Sequence, residues 1–290
     1  MCKLKSAIIL KDRIFMPDYD SHSKMLEELK ITDDYFNASK VFVRAELAPE
    51  NGDGFSDIDG WKFCVDQDIT PEWFDKKDCA ERMRNAVKEW AKTHIFVGQN
   101  YLKISHGENI FIKDCKNVNI YGNATVKYIC GNATVKNICD DATVKYICDN
   151  ATVEYIYDNA TVKNICDDAT VEYISDNATV ERIYDNAMVK NIYGNATVKN
   201  IYGNATVERI YDNAMVKNIY GNATVERIYD NATVERIYDN AMVISPPFAM
   251  WNNSKLMNIT GNATFKDCYS RTICQAGGWK LVEVKKENEH

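Results

Sequence analysis

The chain has 290 residues, with 35 Lys and Arg against 42 Asp and Glu, a net charge of −7, and 46% hydrophobic residues. These proportions exclude a collagenous or disordered chain, and the acidic balance argues against a nucleic-acid binder, which needs a basic face to neutralise phosphates. The first apolar run, Ala7 to Leu10, is too short for a signal-peptide core or a membrane span. We therefore expect a cytoplasmic protein with no membrane contact, whose cysteines stay reduced.

Residues 1–103 contain no repeat and predict a small α+β domain. The pattern of apolar residues predicts three strands and a short helix, at Ala7 to Phe15, Lys40 to Leu47, Trp61 to Val65 and Ser23 to Lys30 respectively. Residues 76–94 predict a longer helix, because Met83, Val87 and Trp90 recur there at helical spacing.

An acidic loop, NGDGFSDIDG, precedes the last of these strands, and its carboxylates Asp53, Asp57 and Asp59 are candidate Ca²⁺ ligands. The loop lacks the alternating ligand series and distal Glu of an EF-hand loop, so we favour a solvated hairpin loop without metal. Three histidines stand apart from any nucleophile signature: His22, His94 and His106. We therefore assign no catalytic residue and no cofactor, and expect a protein that is not an enzyme.

From Asn123 to Asp239 the sequence consists of thirteen consecutive nine-residue units of the form N-A-T-V-[KE]-[NYR]-I-[YC]-[GD]. Ala at position two and Val at position four share one face of a strand, whereas the three-residue step to Ile at position seven requires a bend. Gly or Asp followed by Asn or Asp at the seam of two units predicts a second turn. The repeat therefore predicts a mainly β protein, a β-solenoid with two short strands per unit and Ala, Val and Ile inside.

The number of units in one coil is open to two interpretations. Met replaces Thr at 188, 215 and 242, and this step of 27 fits either three units per coil or duplication of three units in the gene. We favour two units per coil, a step of 18, because six inward apolar residues fill a thin tube. Nine would have to fill a wider section with small Ala side chains at three places.

The predicted solenoid covers residues 104–270. Its first coil, 107–122, is atypical, and the segment 244–252, ISPPFAMWN, predicts a projecting loop after which the repeat pattern returns. Residues 271–290 predict a C-terminal cap followed by a solvated tail. Since no linker separates it from the repeats, we expect the N-terminal domain to cap the first coil.

The segment VDQDITPEWF, Val65 to Phe74, is followed by VKEWAKTHIFV and then by short repeats. In this arrangement nearly the whole chain resembles a family of uncharacterised proteins from phages and mobile elements of anaerobic Gram-positive bacteria. The resemblance implies a phage or mobile-element protein and assigns no functional residue. More loosely, the Ala-x-Val core is similar to the Ala-x-Leu core of pentapeptide-repeat proteins, some of which mimic DNA and inhibit topoisomerases, although the period here is nine.

Positions five, six and eight vary between units and are expected to face outward. The thirteen units carry a net charge of −6. Stacked aromatic and acidic residues on a rod form a surface of the kind that protein interfaces use. We select as candidate binding residues seven tyrosines of position eight and three glutamates of position five: Tyr184, Tyr193, Tyr202, Tyr211, Tyr220, Tyr229, Tyr238, Glu208, Glu226 and Glu235.

Four cysteines also occupy position eight: Cys130, Cys139, Cys148 and Cys166. Their spacing is that of the repeat, so we do not interpret it as a metal signature.

These features predict a non-catalytic binding or scaffold protein whose rigid rod binds a protein partner and makes no direct contact with nucleic acid. Self-association through the solenoid ends or faces is a further option. Two alternatives remain. One is a DNA mimic that inhibits a host nuclease, topoisomerase or defence complex, and it ranks lower because DNA carries one charge per ~1.7 Å, far more than this rod. The other is an enzymatic N-terminal domain with the solenoid as a handle.

Overall fold

The computed structural model describes residues 5–245, 255–259, 263–267 and 272–275. The chain divides into two compact units, one of residues 1–97 with 107–111 and the other of residues 98–106 with 112–290. Residues 107–111, which we expected in the first coil of the solenoid, group with the first unit, although Ile110 and Phe111 also begin a strand, Ile110–Lys113, of a solenoid sheet.

The N-terminal unit contains an antiparallel sheet with the strand order β2-β1-β3-β4 and three helices. The strands are β1 (Lys5–Leu10), β2 (Ile14–Phe15), β3 (Phe42–Ala48) and β4 (Lys62–Val65). The helices are α1 (His22–Glu28), α2 (Tyr35–Lys40) and α3 (Lys76–His94), with a 3₁₀ turn at Ile58–Gly60. A short strand β5 (Ile95–Val97) follows α3.

Helix α3 has the bounds that the sequence predicts. Asp75 caps it by accepting hydrogen bonds from the backbone N–H groups of Lys77 and Asp78, both at 2.9 Å, and the predicted face, including Met83 and Val87, is buried. Two details differ from the prediction. The predicted strand from Ala7 to Phe15 is a hairpin, and helix α2 was not predicted.

The segment Val65 to Phe74 forms the loop after β4, and its side chains hold this loop against β3 and α2. The Gln67 side chain accepts a hydrogen bond from the Arg44 backbone N–H at 2.8 Å and donates to the carbonyls of Phe42 and Ile69 at 3.1 and 2.6 Å. The Trp73 indole N–H donates to the Lys40 carbonyl at 2.9 Å. The Gln and Trp of this segment thus have a structural explanation.

The solenoid strands begin with β6 (Lys103–Ile104), β7 (Ile110–Lys113) and β8 (Val118–Ile120). The regular units contribute β9 (Thr125–Cys130), β10 (Thr134–Ile138), β11 (Thr143–Ile147), β12 (Thr152–Ile156), β13 (Thr161–Ile165), β14 (Thr170–Ile174), β15 (Thr179–Ile183), β16 (Met188–Ile192), β17 (Thr197–Ile201), β18 (Thr206–Ile210), β19 (Met215–Ile219), β20 (Thr224–Ile228) and β21 (Thr233–Ile237). The last strands are β22 (Met242–Ser245), β23 (Lys255–Ile259), β24 (Thr264–Asp267) and β25 (Thr272–Gln275).

Successive strands of the solenoid alternate between two parallel sheets, the even-numbered strands in one and the odd-numbered strands in the other, as far as β24. Thr134 therefore pairs with Thr152, and Thr143 with Thr161, so that each pair is separated by two nine-residue units. This register confirms a β-solenoid whose coil contains two units, the predicted step of 18. The series with a step of 27 consequently does not mark the coil.

Each unit forms one strand, of positions three to seven except in β9, which extends to position eight, and not the two short strands that we predicted. The register pairs positions three, four, six and seven of successive coils, as in β15 and β17, and passes over position five. The strand therefore bends at position five without ending, which returns Ile to the interior. Ala196, Val198 and Ile201 are all fully buried, as are the corresponding residues of the other units to within 2%. The predicted inward face is thus confirmed.

Position nine adopts the left-handed conformation, with φ between +52° and +57° for Asp and between +63° and +70° for Gly. Many of these Asp carboxylates also accept a hydrogen bond from the position-nine N–H one coil earlier, as Asp149 does from Gly131 at 2.8 Å. Asn side chains at position one bond one another in the same way, for example Asn222 to Asn204 at 3.3 Å. The seam residues therefore form the predicted turns and also link consecutive coils.

At the C-terminal end, β22 includes the first two residues of the predicted projecting loop, whose remainder, 246–252, lies outside the described residues. Strands β23 and β24 fall where we predicted that the repeat returns. β25 pairs antiparallel with β24 in the segment predicted as a cap, and residues 276–290 are outside the described part. Among the described residues, no helix combines the length and the apolar character needed to cross a bilayer.

Candidate binding surface

Position eight lies on two opposite edges of the solenoid. Because consecutive strands belong to different sheets, the turn that follows an odd-numbered strand and the turn that follows an even-numbered strand occupy opposite ends of the coil. Edge I, after the odd-numbered strands, carries Cys130, Cys148, Cys166, Tyr184, Tyr202, Tyr220 and Tyr238. Edge II, after the even-numbered strands, carries Cys139, Tyr157, Ser175, Tyr193, Tyr211 and Tyr229.

The four tyrosines of edge I form a continuous stack. The ring centroids of Tyr184 and Tyr202 are 5.1 Å apart, and the next two steps, to Tyr220 and Tyr238, are 4.9 Å each, with ring planes within 6° of parallel. On edge II, Tyr193 stacks on Tyr211 at 5.1 Å, and Tyr229 holds the next position of the same column. The seven predicted tyrosines thus form two separate rows, of four and three members.

Position eight is less exposed than predicted. All seven tyrosines are half-buried, and Cys130, Cys166 and Ser175 are buried, with 6%, 5% and 4% of their surface exposed. The physical reason is that each side chain in the column is covered by its neighbours one coil away. Burial accordingly raises the pKa of the Tyr202 and Tyr220 phenols.

The three predicted glutamates do not form one acidic row. Glu208 and Glu226 lie on even-numbered strands, in the same column as Lys190, whereas Glu235 lies on an odd-numbered strand. Opposite charges pair between coils: Lys190 is 2.8 Å from Glu172, and Lys199 is 3.2 Å from Glu181. The outer faces of both sheets therefore carry rows of mixed sign.

Comparison with protein-family models, curated proteins and solved structures finds no match to this chain. The family resemblance carried by VDQDITPEWF stays a prediction.

The acidic loop uses its carboxylates within the fold. Asp53 accepts a hydrogen bond from the Phe55 backbone N–H at 2.9 Å, and Asp57 accepts one from the Asp59 N–H at 3.1 Å. The Asp59 carboxylate is 2.6 Å from the Lys88 ammonium group on α3. In the part of the chain that the structure describes, none of the three aspartates belongs to a group of side chains able to hold a metal ion.

A polar cleft of about 510 Å³ lies in the N-terminal unit between α2 and the end of β4. Its lining includes Asp33, Arg44 and Asp66, and Arg44 forms an ion pair with Asp33. The buried His22 joins this region, since its Nδ1 is 3.2 Å from an Asp66 oxygen and its Nε2 is 3.2 Å from the Ala45 carbonyl oxygen. Sequence reasoning missed the cleft because one wall is the unpredicted α2; the enzymatic alternative stays a prediction.

Sequence reasoning also missed the grouping of thiols and carboxylates at position eight and position nine. Ligand atoms lie within 4.8 Å of one another in three sets: Cys139 with Asp140 and Asp158, Cys148 with Asp149 and Asp167, and Cys166 with Asp167 and Asp185. The sequence does contain Cys-Asp pairs two units apart. These pairs can be predicted to be neighbours in space only when it is known that one coil contains two units.

Proposed function

We propose that this protein is a non-catalytic binding scaffold, phage or mobile-element encoded and cytoplasmic, that presents edge I of its solenoid to a protein partner. The observation that carries the proposal is the stack of Tyr184, Tyr202, Tyr220 and Tyr238, in which four consecutive coils each present a half-buried ring in the same orientation.

The stack is preorganised for binding. Each ring is held on both sides in the middle of the row, so its rotamer is fixed before a partner arrives and little side-chain entropy is lost on association. The phenol bodies supply apolar contact area and their hydroxyls supply hydrogen bonds. Since the thirteen units carry a net charge of −6, the surface fits a partner with a basic face, whose Arg side chains can stack on tyrosine.

Mixed-sign columns give less support to the DNA-mimic alternative. Lys190 interrupts the glutamates of the even-numbered strands, and position five of the odd-numbered strands is mostly lysine. Neither face therefore presents an unbroken series of negative charges like a phosphate backbone.

Two double variants test the proposal, Tyr202→Ala/Tyr220→Ala on edge I and Tyr211→Ala/Tyr229→Ala on edge II. We expect the partner that copurifies with the wild-type protein from its native host to be lost with the edge I variant and retained with the edge II variant. Tyr202→Phe/Tyr220→Phe keeps the stack and should retain at least part of the binding. Thermal melts establish that each variant is folded. If both Ala variants capture the partner as well as the wild type does, the proposal is refuted.

A further inference from the structure

In the coils that precede the tyrosines, edge I carries a column of three thiols, one in each coil: Cys130, Cys148 and Cys166. The three residues follow strands β9, β11 and β13, which pair in register, so their side chains form one column. Each also lies near a backbone carbonyl oxygen of the preceding coil, at 3.7 Å for Cys148 and 3.8 Å for Cys166. No disulfide joins these three residues.

A column of carboxylates runs beside the thiols. Asp149, Asp167 and Asp185 occupy position nine of the same units and have exposed side chains. The Asp167 carboxylate belongs to two ligand groups at once, one with Cys148 and one with Cys166, and in each group the ligand atoms lie within 4.8 Å of one another. The two groups therefore join into one cluster.

The cluster brings negative charges together without a basic side chain among its members. Carboxylates one coil apart, about 4.8 Å by the spacing of strands, repel each other. The donors that the structure gives them are uncharged: the Gly131 backbone N–H at 2.8 Å from Asp149, the Asp149 backbone N–H at 3.2 Å from Asp167, and the Cys166 thiol at 3.7 Å from Asp167. A cation at this point would relieve the repulsion.

We propose that this cluster on edge I is a binding site for a thiol-seeking divalent metal ion of the zinc group. The candidate ligands come from the two groups that share Asp167: Cys148, Asp149 and Asp167 from one, and Cys166 from the other. Two sulfur and two oxygen ligands suit the four-coordinate tetrahedral geometry that Zn²⁺ adopts, and the thiolates select against Ca²⁺ and Mg²⁺. Binding replaces the two thiol protons, which are released to solvent, by two metal–sulfur bonds.

Edge II offers a matched control within the same chain. Cys139 lies beside Asp140 and Asp158 in the same arrangement, but the next residue of its column is Tyr157, so this group has a single thiol. With one sulfur ligand it should bind the metal much more weakly. Ser is a suitable replacement for Cys here, since Ser175 already occupies position eight of a regular unit.

The test is a titration of the reduced full-length chain with Cd²⁺, followed by the ultraviolet charge-transfer band of thiolate–cadmium bonds, and competition of Zn²⁺ against a chelator of known affinity. We expect Cys148→Ser to lower the affinity at least about tenfold and to weaken the band, and Cys139→Ser to change neither. Asp167→Asn should lower the affinity while the band remains, because both thiols are still present.

Three results would overturn the proposal. The first is the absence of the band in the reduced wild-type protein. The second is an equal loss of affinity in Cys139→Ser and Cys148→Ser, which would mean that unspecific thiols take the metal. The third is binding that Asp167→Asn leaves unchanged, which would remove the carboxylates from the site. Circular dichroism of each variant shows that the solenoid is intact.

Discussion

Replacement of Ala196 by Leu tests how tightly the solenoid is packed. Ala196 has no exposed surface and lies between Ala178 and Ala214 in a column, and its carbonyl accepts a hydrogen bond from the Met215 backbone N–H at 2.9 Å. The coils above and below are therefore fixed at the spacing of one strand, about 4.8 Å. A Leu side chain adds three carbon atoms at this fully buried point, so the strands must shift or the side chain must leave its preferred rotamer.

Overpacking of this kind costs about 1 to 3 kcal/mol. At about 2 to 4 °C per kcal/mol, the value for chains of 150 to 250 residues, we expect Ala196→Leu to lower Tm by roughly 2 to 12 °C. The control is Thr197→Met on the outer face, where Met188 and Met215 are already 40% and 37% exposed, and it should change stability by no more than about 0.5 kcal/mol. Calorimetric melts of the two variants measure both effects. An equal loss in both, or a larger loss in Thr197→Met, would refute the assignment of inner and outer faces.

The turns, the tyrosine rows and the N-terminal unit each support a further prediction. Gly203→Ala should cost about 1 to 2 kcal/mol, because φ is +70° and the new Cβ would lie 2.8 Å from the Asp185 backbone nitrogen. Gly203→Asp should cost less, since its carboxylate can accept from that N–H, and equal losses in urea unfolding would show that the carboxylate contributes nothing. Burial raises the pKa of Tyr202, Tyr211 and Tyr220 above the ordinary 10.0, so the folded state holds these protons more tightly than the unfolded state. The contribution of these protonated phenols to folding stability is complete below pH 10 and is lost as the pH rises through their pKa values in the folded protein. A Tm that stays constant across alkaline buffers would contradict this. Gln67→Ala should destabilise the N-terminal unit by about 1 to 3 kcal/mol because several backbone groups lose their partner, which thermal melts followed by tryptophan fluorescence would detect.

The features that the sequence predicted well depend on local periodicity. The nine-residue repeat specifies the inward face, and the apolar spacing of residues 76–94 specifies α3 with its bounds. Helix α2 escaped prediction because its residues, among them Tyr35 and Phe36, are exposed and show no apolar stripe. The single strand per unit was not predicted because the strand continues through the bend at position five. Hydrogen bonds between neighbouring coils make this possible, and they are not visible in the sequence.

For the candidate site, the sequence predicted which residue types take part but not which of them lie next to one another. Which tyrosines share an edge follows from the alternation of strands between sheets, and that alternation depends on the coil length. The same holds for Cys148 and Cys166, which are two units apart in the chain but follow paired strands and share Asp167 as a neighbour. Residue types could therefore be selected from the sequence, whereas their neighbours required the register.

The coil of two units and the sequence period of three units have a consequence for how such a gene can change. Met188 and Met242 lie on even-numbered strands, but Met215, midway between them, lies on an odd-numbered strand. Duplicating or deleting an odd number of units therefore transfers every downstream side chain to the opposite edge, whereas an even number only lengthens or shortens the rod. A protein that gains or loses one block of three units keeps the same buried core, but the side chains after that block exchange edges. Whether the number of added units is odd or even, and not rod length alone, would then decide which partners such relatives share.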